Sequence, residues 1–255
     1  MDEPTHHLLT LGLTLRVHHN VERQRHMAHL AGRLGYSSVW LPVGTTSPLP
    51  DVDVVDRLSS AAYPARVGLV VAGGHTELPL VASIPDVLLE IHHADRERAL
   101  GAVGTRGWRD RVHLAALAGA MGSTLDSAGV VLSGALPDLF ESLALCVTAR
   151  VDAGRTPVDL PITLDMTASI GRTTAEAQAR VARDADLCGT RDPMVSGLFG
   201  TLEQAQQQAL SLRRAGADAL RVTLADEQDV ADLLAQFRAV VTGPTAVLHA
   251  RAGGA

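Results

Sequence analysis

Aromatic residues are scarce in this chain of 255 residues: they make up 3% of it, although hydrophobic residues make up 46%. A large core must therefore be filled mainly by Leu, Val, Ile and Ala. No apolar run reaches the roughly 18 residues that a membrane-spanning helix needs. The formal net charge is −6 and no long basic block is present, which argues against a general nucleic-acid-binding surface.

Cysteine is also scarce, with only Cys146 and Cys188 in the chain. Cys146 falls within a predicted helix and Cys188 directly follows one, and no secretion signal is recognisable. Buried thiols are therefore expected rather than a disulfide, and a cytoplasmic location is expected with them.

Several motifs of common enzyme classes are missing. No GxGxxG follows the first predicted strand and no Walker-type loop is present. The sequence therefore supports neither a dinucleotide-binding fold nor a nucleoside-triphosphate-binding site. The chain lacks the GxSxG elbow of serine hydrolases. It also lacks HExxH and CxxC spacings, so no metal site is predicted.

What the chain does contain is a repeated alternation of helix and strand. The clearest copies are Ala209–Leu224 and Leu30–Leu41. In each copy a helix ends at a glycine, Gly216 or Gly35, and an apolar strand follows within a few residues. Glycine readily takes the left-handed conformation of a helix C-cap, and a continuous apolar strand suits a parallel sheet covered on both faces.

Eight such units predict a single (β/α)8 TIM barrel over residues 1–255, a usual length for this fold. The capping-box spacings of Thr173 with Glu176 and Thr201 with Gln204 mark two helix starts, and Asn20 is the expected N-cap of the first helix. The predicted strands are Leu8–Arg16, Ser38–Leu41, Arg66–Ala72, Arg98–Val103, Val112–Leu117, Gly129–Ser133, Pro161–Ser169 and Ala219–Leu224. The predicted helices are Val21–Leu34, Val54–Ala62, Pro79–His92, Gly119–Asp126, Pro137–Asp152, Thr174–Leu187, Leu202–Ala215 and Gln228–Val240.

One connection is too short for this pattern. Only Gly104–Arg111 joins the predicted fourth and fifth strands, whereas a parallel crossover usually needs a dozen or more residues. The helix between strands 4 and 5 is therefore expected to be missing or reduced. A homodimer contact would cover the exposed wall; a loop from elsewhere in the chain would serve equally well.

The active site of such a barrel lies at the carboxyl ends of its strands. The turn Gly104, Thr105, Arg106 and Gly107 is predicted to bind a ligand, since glycines allow close backbone approach and Arg106 can pair with phosphate or carboxylate. Trp108 could stack on a planar ligand. The alternative for the turn is that its glycines only make a tight connection, and the alternative for Trp108 is that it covers the end of the barrel as a packing residue.

A second predicted ligand-binding turn opens a helix directly after the fifth strand. It consists of Gly119, Ala120, Met121 and Gly122, whose free backbone amides would favour an anion. An ordinary strand-to-helix turn is the alternative. His18 and His75, after the first and third strands, are the candidate catalytic residues, because imidazole exchanges protons near neutral pH.

Several segments resemble luciferase-like monooxygenases, which are flavin- or deazaflavin (F420)-dependent barrels. Leu34–Pro42 is similar to the end of the first helix and the second strand of that family. Arg98–Trp108 resembles its fourth strand and the following glycine-rich turn, and Val112–Leu132 its fifth and sixth strands. The C-terminal third is matched by Ala153–Pro157, Pro161–Ala179 and Gly200–Leu224.

The resemblance implies an oxidoreductase or monooxygenase that holds FMN or coenzyme F420 in the barrel mouth and acts on a small molecule. Two departures accompany it: the short connection after the fourth strand, and Val43 and Gly44 at positions where many members carry an acidic residue or His. The alternative is a non-catalytic or cofactor-free barrel relative that serves as a ligand-binding or partner subunit.

Overall fold

The computed structural model describes residues 9–17, 19–43, 50–71, 86–92, 97, 101, 104, 109–115, 126–134, 136–184, 197–225 and 229–242. The strands are β1 (Thr10–Thr14), β2 (Ser38–Val43), β3 (Arg66–Val71), β4 (Leu88–His92), β5 (Val112–Ala115), β6 (Gly129–Leu132), β7 (Ile162–Ile170), β8 (Gly197–Gly200) and β9 (Ala219–Leu224). The helices whose two ends both lie in the described part of the chain are α1 (Val21–Arg33), α2 (Val52–Ala62), α3 (Leu136–Asp152), α4 (Thr174–Arg183), α5 (Leu202–Arg214) and α6 (Val230–Thr242).

Eight strands close into a parallel barrel. Strands β1 to β7 pair in sequence order, and β9 pairs with both β7 and β1 to complete the ring. The predicted (β/α)8 fold is confirmed. An additional short strand, β8, pairs with the carboxyl half of β7 from Thr167 to Ile170. It lies on the same edge of β7 as β6, which pairs with the amino half of that strand.

The helix ends follow the local sequence signals. Asn20 accepts a hydrogen bond from the backbone N–H of Arg23, and Thr201 forms a complete capping box with Gln204. Gly35 and Gly216 have φ of +76° and +107°, the left-handed region expected of a glycine that ends a helix.

The fourth strand lies elsewhere than the sequence pattern predicts. It is Leu88–His92, inside the segment predicted as the helix Pro79–His92, and the predicted strand Arg98–Val103 is wrong because Gly101 is helical. The connection to β5 therefore runs over residues 93–111, and its described residues 97, 101, 104 and 109–111 are all helical. The eight-residue crossover does not exist, so the argument from an uncovered barrel wall to a homodimer no longer holds.

The two faces of the barrel strands differ in chemistry. Alternation along a strand sends successive side chains to opposite faces. The outer face is apolar and packs against the helices, as in Leu11 and Leu13 of β1, Leu69 of β3 and Leu220 of β9. Cys146 on α3 belongs to this layer as a buried thiol, as predicted. Among the described helices, none is both long and apolar enough to cross a membrane.

Candidate active site

Most of the predicted site residues lie outside the described residues. These are His18, His75, Thr105, Arg106, Gly107, Trp108, Gly119, Ala120, Met121 and Gly122. Gly104 is described: it is exposed and helical with φ of +70°, and the chain enters the amino end of β5 eight residues later. Gly104 therefore does not follow a strand, and the placement of its turn at a carboxyl end loses its basis.

The described part of the site is the barrel interior, which is built in layers. Registers between neighbouring strands place four inward side chains from alternate strands at each level, as is usual in these barrels. The middle layer holds Trp40, Glu90, Val131 and Arg221. The layer toward the amino end holds Gly12, Gly68, His113 and Thr163, and the layer toward the carboxyl end holds Thr14, Val70, Ala115 and Asp165.

A charged network crosses the middle of the barrel. Arg221 on β9 is paired with Glu90 on β4, the strand opposite in the ring. Its guanidinium also donates to both oxygens of Asp165 on β7, from Nε at 3.0 Å and from the terminal NH2 nitrogen at 2.9 Å. Arginine suits this position because its planar fork satisfies a carboxylate bidentately. Burial raises the pKa of Glu90, and the neighbouring guanidinium opposes this shift.

Trp40 and His113 occupy the amino-terminal half of the interior. The two rings meet edge to face with centroids 5.4 Å apart, and the guanidinium carbon of Arg221 lies 5.1 Å from the Trp40 ring centroid. The indole N–H donates to the hydroxyl of Ser38. Gly68 is required here, because a Cβ at that position would lie 2.4 Å from the indole ring. Burial, together with Arg221 and Arg66, lowers the pKa of His113 to about 4, so its imidazole is neutral at pH 7.

A cleft of about 370 Å³ opens beneath these rings at the amino ends of the strands. Its lining includes Ser38, Arg66, Arg109 and His113. Active sites of (β/α)8 barrels lie at the opposite face, and the amino face serves stability. This cleft is therefore not the candidate active site.

The carboxyl-terminal half of the interior is open. Val70, Ala115, Asp165 and Thr223 face inward by alternation, yet each is partly exposed. An inward side chain of a closed barrel can be exposed only to space inside the barrel or at its mouth. We call this space the mouth cavity and define it by these four residues and Thr14. The hydroxyl of Thr14 is buried and makes no hydrogen bond within the described part of the chain.

One ion pair and two hydrogen bonds to carbonyl oxygens hold the rim next to the mouth cavity. Arg16, directly after β1, donates to Asp184 at the end of α4 and to the carbonyl oxygen of Leu224 at the end of β9. The side chain of Gln24 on α1 donates to the carbonyl oxygen of Arg16 at 3.0 Å. These contacts tie the carboxyl ends of β1 and β9 to two helices, and so fix the chain on both sides of His18.

A second cleft, of about 860 Å³, lies at the carboxyl end of β7. Its lining mixes charges: Arg172, Arg180 and Arg183 are cationic, whereas Glu176, Asp229 and Asp232 are anionic. Arg180 is already engaged, donating to Glu176 and to the carbonyl oxygen of Ile170. Loops after strands seven and eight often bind phosphate in these barrels, but the acidic groups leave no uniform anion site here.

The sequence prediction missed all three members of the charged network. Arg221 and Asp165 interrupt otherwise apolar strands, ALRVTL and ITLDMTASI, at inward positions. A charged residue in the middle of a buried strand indicates a paired charge in the interior. The sequence pattern is therefore sufficient to identify Arg221 and Asp165 as interior charges. Glu90 could not be found in this way because its segment was read as a helix.

Within the described ranges, no group of three or more His, Cys, Asp or Glu side chains is placed to hold a metal ion. No protein-family model matches the sequence, and no curated protein matches it.

Solved structures do match the fold. A coenzyme F420-dependent tetrahydromethanopterin reductase from Methanopyrus kandleri aligns with a TM-score of 0.71 at 10% identity, over 92% of this chain and 98% of that chain. A monooxygenase from Streptomyces bottropensis aligns with a TM-score of 0.70 at 14% identity, over 93% and 100%. The oxygenating constituent of a Pseudomonas putida diketocamphane monooxygenase, in complex with FMN, aligns with a TM-score of 0.63 at 12% identity, over 93% and 99%.

These alignments span nearly the whole of each chain. At 10–14% identity, the likeness establishes a shared backbone architecture. The protein therefore has the (β/α)8 fold found in coenzyme F420-dependent and FMN-binding oxidoreductases, as the resemblance of its sequence segments to luciferase-like monooxygenases predicted.

Proposed function

We propose that this protein is a flavin- or deazaflavin-dependent oxidoreductase of the luciferase-like type that acts on a small molecule. The single observation that carries the proposal is the open carboxyl half of the barrel interior, in a fold shared with enzymes that use F420 or FMN. In such barrels this is the face on which ligands bind. The non-catalytic alternative loses one of its two supports, because the connection from β4 to β5 is not the short one that the sequence predicts.

The residues of the mouth cavity fit a planar cofactor. Thr14, Val70, Ala115 and Thr223 are small, so they leave room for a ring inside the barrel. The hydroxyl of Thr14, which has no hydrogen-bond partner among the described residues, and the partly exposed carboxylate of Asp165 offer polar contacts to it. A bound flavin or deazaflavin would supply the hydride chemistry, while the protein positions it and excludes water.

The predicted residues outside the described ranges complete the proposal. The turn from Gly119 to Gly122 would hold an anionic group with its backbone amides. His18 or His75 would hold or move a proton at the reacting centre. Arg106 and its flanking residues, including Gly104 and Trp108, stay a cofactor-binding prediction that rests on residue chemistry rather than on position.

Titration of the purified protein with FMN and with F420 tests this function. Quenching of cofactor fluorescence that saturates at micromolar concentration supports it, and turnover of the reduced cofactor separates an enzyme from a carrier. No binding of either cofactor at high micromolar concentration would overturn the proposal.

A homodimer and a cytoplasmic location belong to the same proposal. Half-exposed apolar side chains on α3, among them Phe140 and Leu145, offer one surface that a second copy could cover. Light scattering at tens of micromolar protein decides between monomer and dimer. The buried thiol of Cys146 is consistent with a reducing compartment.

A further inference from the structure

The charged network inside the barrel joins one guanidinium to two carboxyl groups. Arg221 contacts both Glu90 and Asp165. Together the two carboxyl groups have more acceptor positions than the five N–H groups of one arginine can fill. A buried acceptor in excess of its donors is costly unless another donor reaches it.

The two carboxylates differ in their access to such a donor. The Glu90 side chain is 7% exposed and enclosed in the middle layer, whereas the Asp165 side chain is 30% exposed. Of the described residues that line the amino-end cleft, Thr163 and Arg221 are neighbours of Asp165, but Asp165 itself is not among them. The exposed part of its carboxylate therefore faces the mouth cavity.

Asp165 also has acceptor capacity left. Each of its oxygens receives one hydrogen bond from Arg221, and an ionised carboxylate offers about four acceptor positions in all. The bidentate contact fixes the plane of the carboxylate. The remaining lone pairs are thus presented in a fixed direction at the inner end of the cavity.

We propose that Asp165 is a ligand-binding residue that accepts a hydrogen bond from an N–H or O–H group of the molecule held in the mouth cavity. The inner end of the cavity then selects a neutral or cationic donor-bearing group and repels phosphate or carboxylate. A ligand with an anionic tail binds with its donor-bearing ring inward and its tail toward the rim. Nothing in the barrel chemistry requires a metal for this contact.

Affinities of Asp165→Asn provide the first test, with FMN and riboflavin as probes; the choice of flavins rests on the proposed function. The amide keeps an oxygen for Arg221 but loses the charge and part of the acceptor capacity. Both affinities should fall by roughly tenfold or more, and by similar factors, because the two probes share the ring and differ in the phosphate. Asp159→Asn is the control, since Asp159 is an exposed carboxylate outside the mouth cavity, and it should change neither affinity by more than about twofold.

Labelling with a water-soluble carbodiimide and an amine, read by peptide mass spectrometry, provides a test that needs no cofactor. Asp165 should be modified and then protected by FMN, while enclosed Glu90 stays unmodified and exposed Asp159 reacts throughout. Modification of Asp165 in a protein that binds neither flavin nor F420 would overturn the proposed function but support the acceptor site. An unmodified Asp165, or flavin affinity unchanged in Asp165→Asn, would overturn the inference whether or not the function holds.

Discussion

Arg221 and Glu90 meet across the barrel from strands that lie opposite each other in the ring. Both side chains are almost wholly enclosed, at 2% and 7% exposure. Charged groups that are buried this deeply are tolerated only when they are paired. Neither Arg221 nor Glu90 can therefore be replaced alone by an apolar residue without leaving the other unpaired. It also divides the interior into an amino half filled by rings and a carboxyl half left open.

Replacing Arg221 with Met should strongly destabilise the fold, because two carboxylates then lose their only described cation. We expect a loss of about 3–5 kcal/mol in the free energy of unfolding at pH 7, measured by urea denaturation. The loss should be smaller at a more acidic pH, because burial raises the pKa of Glu90 and its neutral form needs no cation. Arg221→Met combined with Glu90→Met should recover most of the stability, since Asp165 is partly solvated. An equal loss at both pH values would contradict this account of the network.

Gly68→Ala should cost about 1–3 kcal/mol of stability through overpacking. Its Cβ would lie 2.4 Å from the Trp40 ring, and a ring held by Ser38 has little freedom to move. Gly101→Ala is the control: it is helical and exposed with no atom within 4 Å of the added Cβ. That substitution should stabilise the protein by about 0.5–1 kcal/mol. Thermal unfolding of both variants measures the contrast, and equal effects would contradict it.

His113 should make the protein less stable as the pH falls. Its pKa is about 4 in the folded state and about 6.5 when unfolded, so the unfolded chain binds the extra proton first. Stability is therefore complete above about pH 6.5 and declines toward pH 4, by about 1–2 kcal/mol at pH 5 once the partial exposure of the ring is allowed for.

Urea denaturation of His113→Gln from pH 7.5 to pH 5 isolates this effect. The variant should lack that part of the decline. Glu90, with a raised pKa, contributes a dependence of opposite sign, because its stabilising proton is lost as the pH rises. Comparison with the wild-type protein cancels the contribution of Glu90, and parallel curves for the two proteins would refute the role of His113.

Thr14→Val should separate stability from binding. The variant removes a buried hydroxyl without a described partner, which should stabilise the cofactor-free protein by about 1 kcal/mol. If the hydroxyl contacts the cofactor, affinity for FMN should fall at the same time. Thr10→Val, at the exposed amino end of the same strand, should leave affinity unchanged. A Thr14 variant with unchanged affinity would remove this hydroxyl from the site.

Arg106→Ala tests the glycine-rich turn that the sequence singles out. Loss of a charge-assisted bond to the phosphate should weaken FMN binding by about 1.5–3 kcal/mol and leave riboflavin binding unchanged. Arg109→Ala is the control, since Arg109 is exposed and lines the amino-end cleft. Fluorescence titration measures the affinity of both variants for FMN. Equal affinities in Arg106→Ala and Arg109→Ala would exclude Arg106 from the cofactor-binding site.

The sequence predicts the barrel well where local and tertiary preferences agree. The strand Ala219–Leu224 and the capping box of Thr201 are found as predicted, because the β-branched strand residues and the cap favour the structure they occupy. Leu88–His92 was misread because LLEIH has good helix formers, whereas burial between β3 and β5 makes it a strand. Because this segment is predicted as a helix, the sequence does not reveal that Glu90 lies inside the barrel.

The site residues also divide into those that the local sequence reveals and those that depend on tertiary contacts. Asp165 and Arg221 carry a readable signal, namely a charge inside an apolar strand. Their meeting with Glu90 depends on barrel closure, which brings together residues that are distant in sequence. Trp40 points into the interior because it alternates along β2 with the outward-facing Val39 and Leu41.

The separation of chemistry between the two sides of each strand has a consequence for how this protein can change over time. Substitutions at Val70, Ala115 or Thr223 alter what the barrel can enclose, yet they leave intact the contacts between the apolar outer side and the helices. New ligand preferences can therefore arise without a matching repair of the scaffold.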